Sequence, residues 1–232
     1  MSNQHKIITP RVIVLTLIFV VVVPFLPLLI SQRWDWWEAW VYGVMGVLGF
    51  AVSRALAVRR HPDRLAERAR FMEHENAESW DRLLAPLVGL GGGLIPLVAG
   101  LESLSDTPAT FSLPVRIVAL VIILAGYALA SYALIENRFF SGMVCIQSDR
   151  GHKVVSSGPY RWRRHPGYAG ALLTYLATPL LLEAPWTFLL VVFIASVLVI
   201  RTRLEDGTLQ DQLEDYRDYA RRVRYRLLPG VW

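Results

Sequence analysis

Residues 167–200 read GYAGALLTYLATPLLLEAPWTFLLVVFIASVLVI, two long apolar runs with a short polar interruption between them. A helix needs about 20 mostly apolar residues to cross a bilayer, and the runs at 167–183 and 185–202 are close to that length. Glu183 and Pro185 mark a turn between them. Because the turn is short, the two helices form a hairpin, and the start of the first lies beside the end of the second.

Four similar apolar segments precede the hairpin, at residues 11–31, 37–57, 83–101 and 111–135. The chain has 232 residues, of which 54% are hydrophobic, and its mean hydropathy is +0.39. Soluble domains rarely combine such values with apolar residues in unbroken runs. We therefore predict an all-α, polytopic integral membrane bundle of about six spans, with a C-terminal helical hairpin followed by an amphipathic cytoplasmic helix.

The whole chain, residues 1–232, is predicted to form a single integral membrane domain. Apolar residues recur at steps of four and three in its last part, which indicates an amphipathic helix over 203–227. The residues alone favour an interfacial helix that lies on lipid headgroups. The predicted parts are an N-terminal helix pair at 1–57, a cytoplasmic segment with a helix at 58–82, a membrane core at 83–202 with a cytoplasmic loop at 136–168, and the C-terminal helix at 203–232.

The basic residues lie almost entirely on one side of this topology. Of the 24 lysines and arginines, 22 fall on the side that holds both termini, and only Arg33 and Arg116 fall on the other. The positive-inside rule then places both termini in the cytoplasm. We expect the membrane to be a bacterial inner membrane, although the charge pattern does not itself identify the organism. The same bias accounts for the isoelectric point of about 9.6, so the charge does not indicate nucleic-acid binding.

The cysteine and histidine content argues against several kinds of site. The chain has one cysteine, Cys145, which excludes an internal disulfide and a metal site built from several cysteines. His61 and His74 in the 58–82 segment do not have a zinc-binding spacing. The sequence therefore predicts no bound metal ion.

Polar clusters stand at both ends of the hairpin sequence. GPYRWRRHPGYAG at residues 158–170 precedes it, and Glu205 and Asp206 follow it. Two adjacent acids at the membrane boundary are costly unless they are paired or solvated. Arg201, one helical turn before Glu205, offers a structural ion pair. The alternative is a ligand site, because the hairpin brings His165 close to both acids, and such a cluster suits a ligand with charges of both signs.

At these residues the sequence resembles the isoprenylcysteine carboxyl methyltransferase family, which shares its membrane core with phospholipid N-methyltransferases. The resemblance is carried by GHKVVSSGPYRWRRHPGYAG at 151–170, then one hairpin, then EDGTLQDQLEDYRDYARRVRYRLLPG at 205–230. It covers about residues 55–232 and is most specific over 151–230.

The resemblance implies a membrane-embedded enzyme that uses S-adenosylmethionine. By analogy Glu205 binds a hydroxyl or the amino group of the cofactor, and the C-terminal helix covers it. The full set of cofactor-binding residues that the resemblance implies is Tyr160, Arg161, His165, Tyr168, Gly170, Glu205 and Asp206. The catalytic residues are Arg201, Arg203 and Glu205.

The reaction expected from this resemblance is carboxyl O-methylation of an isoprenylcysteine-like or other lipophilic acceptor. A carboxylate is ionised at neutral pH and needs no general base. Arg201 or Arg203 is expected to orient it with two hydrogen bonds. A phospholipid amine or a small thiol is an alternative acceptor, and for an amine Glu205 is the candidate base. A lipid-tailed acceptor would enter sideways from the membrane lipids, while the cofactor would enter from the cytoplasm.

The sequence also departs from the family pattern. Asp206 stands where a second glutamate is usual, a glycine is missing before Tyr216, and Arg224 replaces a proline. Two other functions stay open. A sterol-type reductase would use NADPH, but an acidic pair is poorly suited to a pyrophosphate. A non-catalytic membrane protein predicts that replacing His165 or Glu205 by alanine alters only stability.

Overall fold

The computed structural model describes residues 10–62, 77–106 and 109–232, and over these ranges the chain forms helices and loops without β-strands. Short 3₁₀ turns lie at Ser148–Arg150 and Gly158–Arg161, in the connection between the helices that end at Glu136 and begin at Pro166. The α-helices of the described part are α1 Pro10–Leu17, α2 Leu26–Ser31, α3 Trp37–Arg60, α4 Asp81–Glu102, α5 Leu113–Glu136, α6 Pro166–Leu181, α7 Thr187–Gln212 and α8 Tyr216–Arg222.

Within the described residues, five helical segments are long and apolar enough to cross a membrane: Ile13–Ser31, α3, α4, α5 and α7. Their outer faces expose large apolar side chains, among them Leu90 at 65% and Leu189 at 70%. Such surfaces are stable against lipid and unusual against water. The prediction of a polytopic helical membrane protein is confirmed. The predicted span at 167–183 corresponds to α6, which has 16 residues and is the shortest member of the bundle core.

The first span is a broken helix. A π turn at Ile18–Val22 and a 3₁₀ turn at Val23–Phe25 join α1 to α2. Pro24 and Pro27 explain the break, because proline lacks the backbone N–H and its ring crowds the carbonyl one turn earlier. The break leads into α2, which packs against α4.

Helices α5 and α6 pack backbone against backbone at a pair of glycines. A Cβ atom built on Gly170 would lie 2.5 Å from the carbonyl oxygen of Gly126 and 2.8 Å from the backbone nitrogen of Ala130. A Cβ on Gly126 would lie 2.6 Å from the carbonyl oxygen of Gly170. Small residues let helix backbones approach closely in membranes. This glycine pair therefore allows the first part of α6 to pack directly against the backbone of α5.

Replacing Gly170 by alanine is therefore expected to destabilise the protein by about 1–3 kcal/mol, because the methyl group meets backbone atoms that cannot move aside. Gly89 in α4 is the matched control, since a Cβ there meets nothing within 4 Å. Gly89→Ala is expected to leave the protein as stable or slightly more stable, because alanine is the better helix former. Unfolding of both variants in detergent micelles measures the difference, and equal stabilities would contradict the packing argument.

Carboxylates tie the helices together at the end of the bundle away from the C-terminal segment. Glu38 is only 2% exposed and contacts Arg116. Glu183, in the turn between α6 and α7, accepts a hydrogen bond from the backbone N–H of Phe111 at 3.0 Å. Glu102 accepts backbone N–H groups at the start of α7. The hairpin turn predicted around Glu183 is present and is anchored to the loop at Phe111 and to the end of α4.

The C-terminal region differs from the prediction of one amphipathic helix over 203–227. Helix α7 continues without interruption to Gln212. Residues 213–215 are not helical, and the following helix α8 is short. Asp215 adopts a left-handed conformation (φ 64°), which a continuous helix cannot contain. The predicted apolar stripe is nonetheless buried: Leu213, Tyr216 and Val223 pack in a cluster with Tyr160. The stripe thus covers protein, and the alternative of a helix lying on headgroups is wrong for these residues.

The helix predicted in the 58–82 segment falls mostly on residues 63–76, which lie outside the described residues. On either side of them, α3 extends to Arg60 and α4 begins at Asp81. The start of α4 therefore lies two residues earlier than the predicted span.

Candidate functional site

A cavity of about 90 Å³ lies where α6 begins, between α7, the loop after α5 and the C-terminal segment. Of the predicted site residues, the structure brings Tyr160, His165, Tyr168 and Glu205 to its wall. The residues that line it are Asn137, Phe139, Phe140, Ser141, Met143, Val144, Cys145, His152, Lys153, Val154, Val155, Tyr160, Arg164, His165, Gly167, Tyr168, Glu205, Leu209, Leu213, Tyr216 and Tyr219.

Glu205 is held by the first turn of α6. The Tyr168 hydroxyl donates a hydrogen bond of 2.6 Å to Glu205 Oε2. The His165 ring stacks parallel to the Tyr168 ring with 5.7 Å between the centroids. The hydrogen bond joins residues 37 positions apart in the chain, as the hairpin predicted. A carboxylate has two oxygens, so the one that Tyr168 does not engage can accept a hydrogen bond from a ligand.

Asp206 has a different role from its neighbour. It is 0% exposed and stands outside the residues that line the cavity. Its carboxylate contacts both arginines that flank it, Arg164 Nε at 2.8 Å and Arg226 Nε at 2.9 Å. It also accepts hydrogen bonds from Tyr216 and Gln210, and His165 Nε2 lies 3.4 Å away. Asp206 was predicted to bind the cofactor, but in the structure protein groups surround its carboxylate. These contacts hold the C-terminal segment against the bundle.

Two tyrosines of α8 complete this attachment. The Tyr216 hydroxyl donates to Asp206 at 3.0 Å, and the Tyr219 hydroxyl donates to the carbonyl oxygen of Tyr160 at 2.8 Å. Burial raises the pKa of both phenols well above the ordinary value, and the negative charge of Asp206 adds to the rise. Both therefore keep their protons at physiological pH and act as fixed donors.

His152 also lines the cavity and was not among the predicted site residues. Its ring stacks on Phe139 with 4.5 Å between centroids, and its Nδ1 accepts the backbone N–H of Gln147 at 3.3 Å. Burial, with a smaller effect of the Arg150 charge, lowers the pKa of His152 to about 4. The imidazole is thus neutral at pH 7 and carries its proton on Nε2, where it is a hydrogen-bond donor. A lone histidine in an irregular loop gave no sequence signal for this position.

Besides Asp206, four predicted site residues lie outside the cavity wall. Arg161 and Arg203 are exposed, and on α7 the Arg203 position lies on the face opposite Glu205. Gly170 faces α5 instead of the cavity. Arg201 is buried and uses Nε and Nη2 on Asp81, at 2.6 and 2.9 Å. Since that fork is already engaged, the structure does not present either arginine for a two-bond contact with an acceptor.

No group of three or more histidine, cysteine, aspartate or glutamate side chains in the described part of the chain is arranged to hold a metal ion. The polar groups at the cavity wall are a carboxylate, hydroxyls, imidazoles, an amide and the two cations Lys153 and Arg164, beside aromatic and aliphatic side chains. This combination suits an organic ligand with a polar end and apolar parts.

The sequence around this cavity is similar to that of a known protein family. Residues 117–211, which include α6, the hairpin and Glu205, match the sequence model of the isoprenylcysteine carboxyl methyltransferase (ICMT) family. Over these residues the chain is similar to members of the ICMT family. The family resemblance stated from residues 151–230 is thereby confirmed for the membrane core, over a narrower range than 55–232.

Individual relatives match parts of the chain. The uncharacterized protein YpbQ of Bacillus subtilis is 44% identical over 62 residues, which are 26% of this chain and 37% of YpbQ. A probable protein-S-isoprenylcysteine O-methyltransferase of Oryza sativa is 29% identical over 117 residues, 47% of this chain and 59% of the rice protein. The Delta(14)-sterol reductase TM7SF2 of Mus musculus is 27% identical over 137 residues, 54% of this chain and 33% of the mouse protein. The chain thus spans between a third and three fifths of these relatives.

Proposed function

We propose that this protein is a member of the ICMT family and a membrane-embedded methyltransferase that uses S-adenosylmethionine. The observation that carries the proposal is that Glu205, Tyr168 and His165 meet at one cavity wall within the family-matched segment. The proposed methyl acceptor is the carboxylate of an isoprenylcysteine-like or other lipophilic molecule. The names of the family and of the rice relative both state isoprenylcysteine methyltransferase activity.

The cavity residues fit the chemistry of S-adenosylmethionine. Glu205 offers a carboxylate oxygen to a ribose hydroxyl or to the ammonium group. The neutral His152 offers an N–H donor, and Phe139 and Phe140 offer aromatic surface to the adenine. The cavity of about 90 Å³ is smaller than ordinary ligand pockets of about 300–1,000 Å³, so binding requires the walls to move apart.

The cofactor supplies a methyl group already activated by a positively charged sulfur. The protein's task is to place the acceptor in line with that methyl group and to exclude water. Glu205 and Tyr168 hold the polar end, and α8 with Tyr216 and Tyr219 closes the cavity on the side of the C-terminal segment. A carboxylate acceptor needs no base from the protein, because it is ionised at neutral pH.

The membrane setting supports a lipid-tailed acceptor. The cavity lies at the end of the bundle where α7 leaves the apolar part of its sequence, so a tail in the bilayer and a head at the cavity can belong to one molecule. The clustering of basic residues at this end supports an orientation with both termini and the cavity on the cytoplasmic side.

Binding and transfer of a labelled methyl group test the proposal. Purified full-length protein is expected to bind S-adenosylmethionine and its demethylated product with micromolar affinity, and to bind NADPH far more weakly because Glu205 repels phosphates. With methyl-labelled cofactor, the label is expected in farnesylated cysteine analogues, compared in parallel with phospholipids and small thiols. Binding of NADPH in place of S-adenosylmethionine would contradict the proposal, and label in phospholipid or thiol would correct the acceptor.

A further inference from the structure

Asp81 is the first residue of α4, and its side chain is 0% exposed. Its carboxylate accepts hydrogen bonds from Arg201 Nε at 2.6 Å, from Arg201 Nη2 at 2.9 Å and from the backbone N–H of Val144 at 2.6 Å. The beginning of α4, the end of α7 and the loop after α5 therefore meet on one carboxylate, although Arg201 is 120 positions away in the chain.

Arg201 extends this contact to the cavity wall. Its Nη1 donates to the Tyr168 hydroxyl. Because that hydroxyl accepts from Arg201, its own proton points to Glu205 Oε2, 2.6 Å away. An unbroken series of charge-assisted hydrogen bonds thus runs from Asp81 through Arg201 and Tyr168 to Glu205.

The same ion pair holds the cavity loop, defined here as residues 137–147. Arg201 Nη2 donates to the carbonyl oxygen of Gly142 at 2.8 Å, while Asp81 accepts from Val144. Two peptide groups close together in the loop are therefore fixed by opposite members of one buried pair. The loop supplies much of the cavity wall, including Phe139, Phe140 and Cys145.

We propose that Asp81 is a positioning residue that keeps the cavity loop in place and keeps Arg201 away from Glu205; the effect on ligand binding rests on the proposed function. Arg201 and Glu205 are four residues apart on α7, the spacing at which opposite charges pair on a helix. With Asp81 present, both prongs of the Arg201 fork are engaged. Without its charge, Arg201 turns to Glu205 and occupies the carboxylate that the cofactor needs.

The cavity loop has a built-in reporter, because Cys145 is the only cysteine in the chain and is buried beside Val144. In full-length protein in detergent micelles, Asp81→Asn is expected to speed maleimide alkylation of Cys145 by about tenfold or more, since local opening becomes easier. Glu38→Gln is the matched control: it breaks a buried ion pair at the other end of the bundle and is expected to leave the alkylation rate within about twofold of wild type. Equal rates in the two variants would overturn the loop part of the proposal.

Cofactor affinity tests the second part. Asp81→Asn is expected to weaken S-adenosylmethionine binding about tenfold. The double variant Asp81→Asn with Glu205→Gln is expected to lose less than the sum of the two single losses, because part of the effect of Asp81 passes through Glu205 and the rest through the cavity loop. Additive losses, or an equal loss in Glu38→Gln, would overturn it. If Asp81→Asn does not fold, Arg201→Lys replaces it, since lysine keeps the charge beside Asp81 but lacks the fork, and the same changes are expected. A wild-type protein that binds no cofactor refutes the proposed function, whereas the Cys145 result still decides whether Asp81 holds the loop.

Discussion

Replacing Glu205 by glutamine is expected to raise the dissociation constant for S-adenosylmethionine by about 10- to 100-fold, the range of a lost charge-assisted hydrogen bond. Tyr168 donates to this side chain, so the glutamine oxygen will turn toward Tyr168. Its amide nitrogen then faces the cofactor, where a donor meets the hydroxyl or ammonium donor of the ligand. The enzyme is expected to lose methyl transfer to a similar extent or more, measured as kcat/KM for the cofactor.

Glu214→Gln is the control for this change, because Glu214 is an exposed glutamate of the same C-terminal region. It is expected to match wild type in both affinity and kcat/KM. If both variants bind the cofactor as wild type does, Glu205 is not a cofactor ligand, and the cavity wall has another purpose.

The second large effect is expected at Asp206. Asp206→Asn removes the charge that faces Arg164 and Arg226, and Arg164 is then a buried cation without its partner. Breaking a buried pair in this way costs about 3–5 kcal/mol of unfolding free energy. The loss is expected first in the C-terminal segment, because Asp206 is what joins Tyr216 and Arg226 to the bundle.

Limited trypsin digestion gives a direct measure, since Arg217 and Arg221 in this segment are exposed. Cleavage there is expected to be much faster in Asp206→Asn than in wild type. Asp211→Asn is the matched control, because its pair with Arg217 is exposed and worth at most about 1 kcal/mol. A digestion pattern of Asp206→Asn that equals that of Asp211→Asn would show that the segment is held by its apolar contacts alone.

The sequence predicted the parts of the site that depend on chain order. A hairpin of two spans places the residue before the first beside the residue after the second, so the meeting of His165 with Glu205 follows from the turn around Glu183. The spans themselves were predictable because apolar runs of membrane length have few alternative structures. Their observed bounds differ by only a few residues, except where α7 continues to Gln212.

The remaining contacts depend on which helices become neighbours, and apolar periodicity does not encode that choice. Asp81 meets Arg201 because α4 packs against α7, and the sequence offered Glu205 as a closer partner for Arg201. His152 reaches the cavity through the path of an irregular loop that has no periodic pattern. The sequence predicted Asp206 close to His165, and the two side chains are neighbours in the structure. Arg226 and Tyr216 reach Asp206 because the chain bends at Asp215, and the regular apolar pattern of this region gave no sign of that bend.

The glycine contact between α5 and α6 also limits how a lipid tail can arrive. At Gly126 and Gly170 the contact between α5 and α6 is closed mainly by backbone atoms, which cannot swing aside to admit a hydrocarbon chain. We therefore expect a lipid-tailed acceptor to enter between another pair of helices, where side chains rather than backbone atoms form the contact.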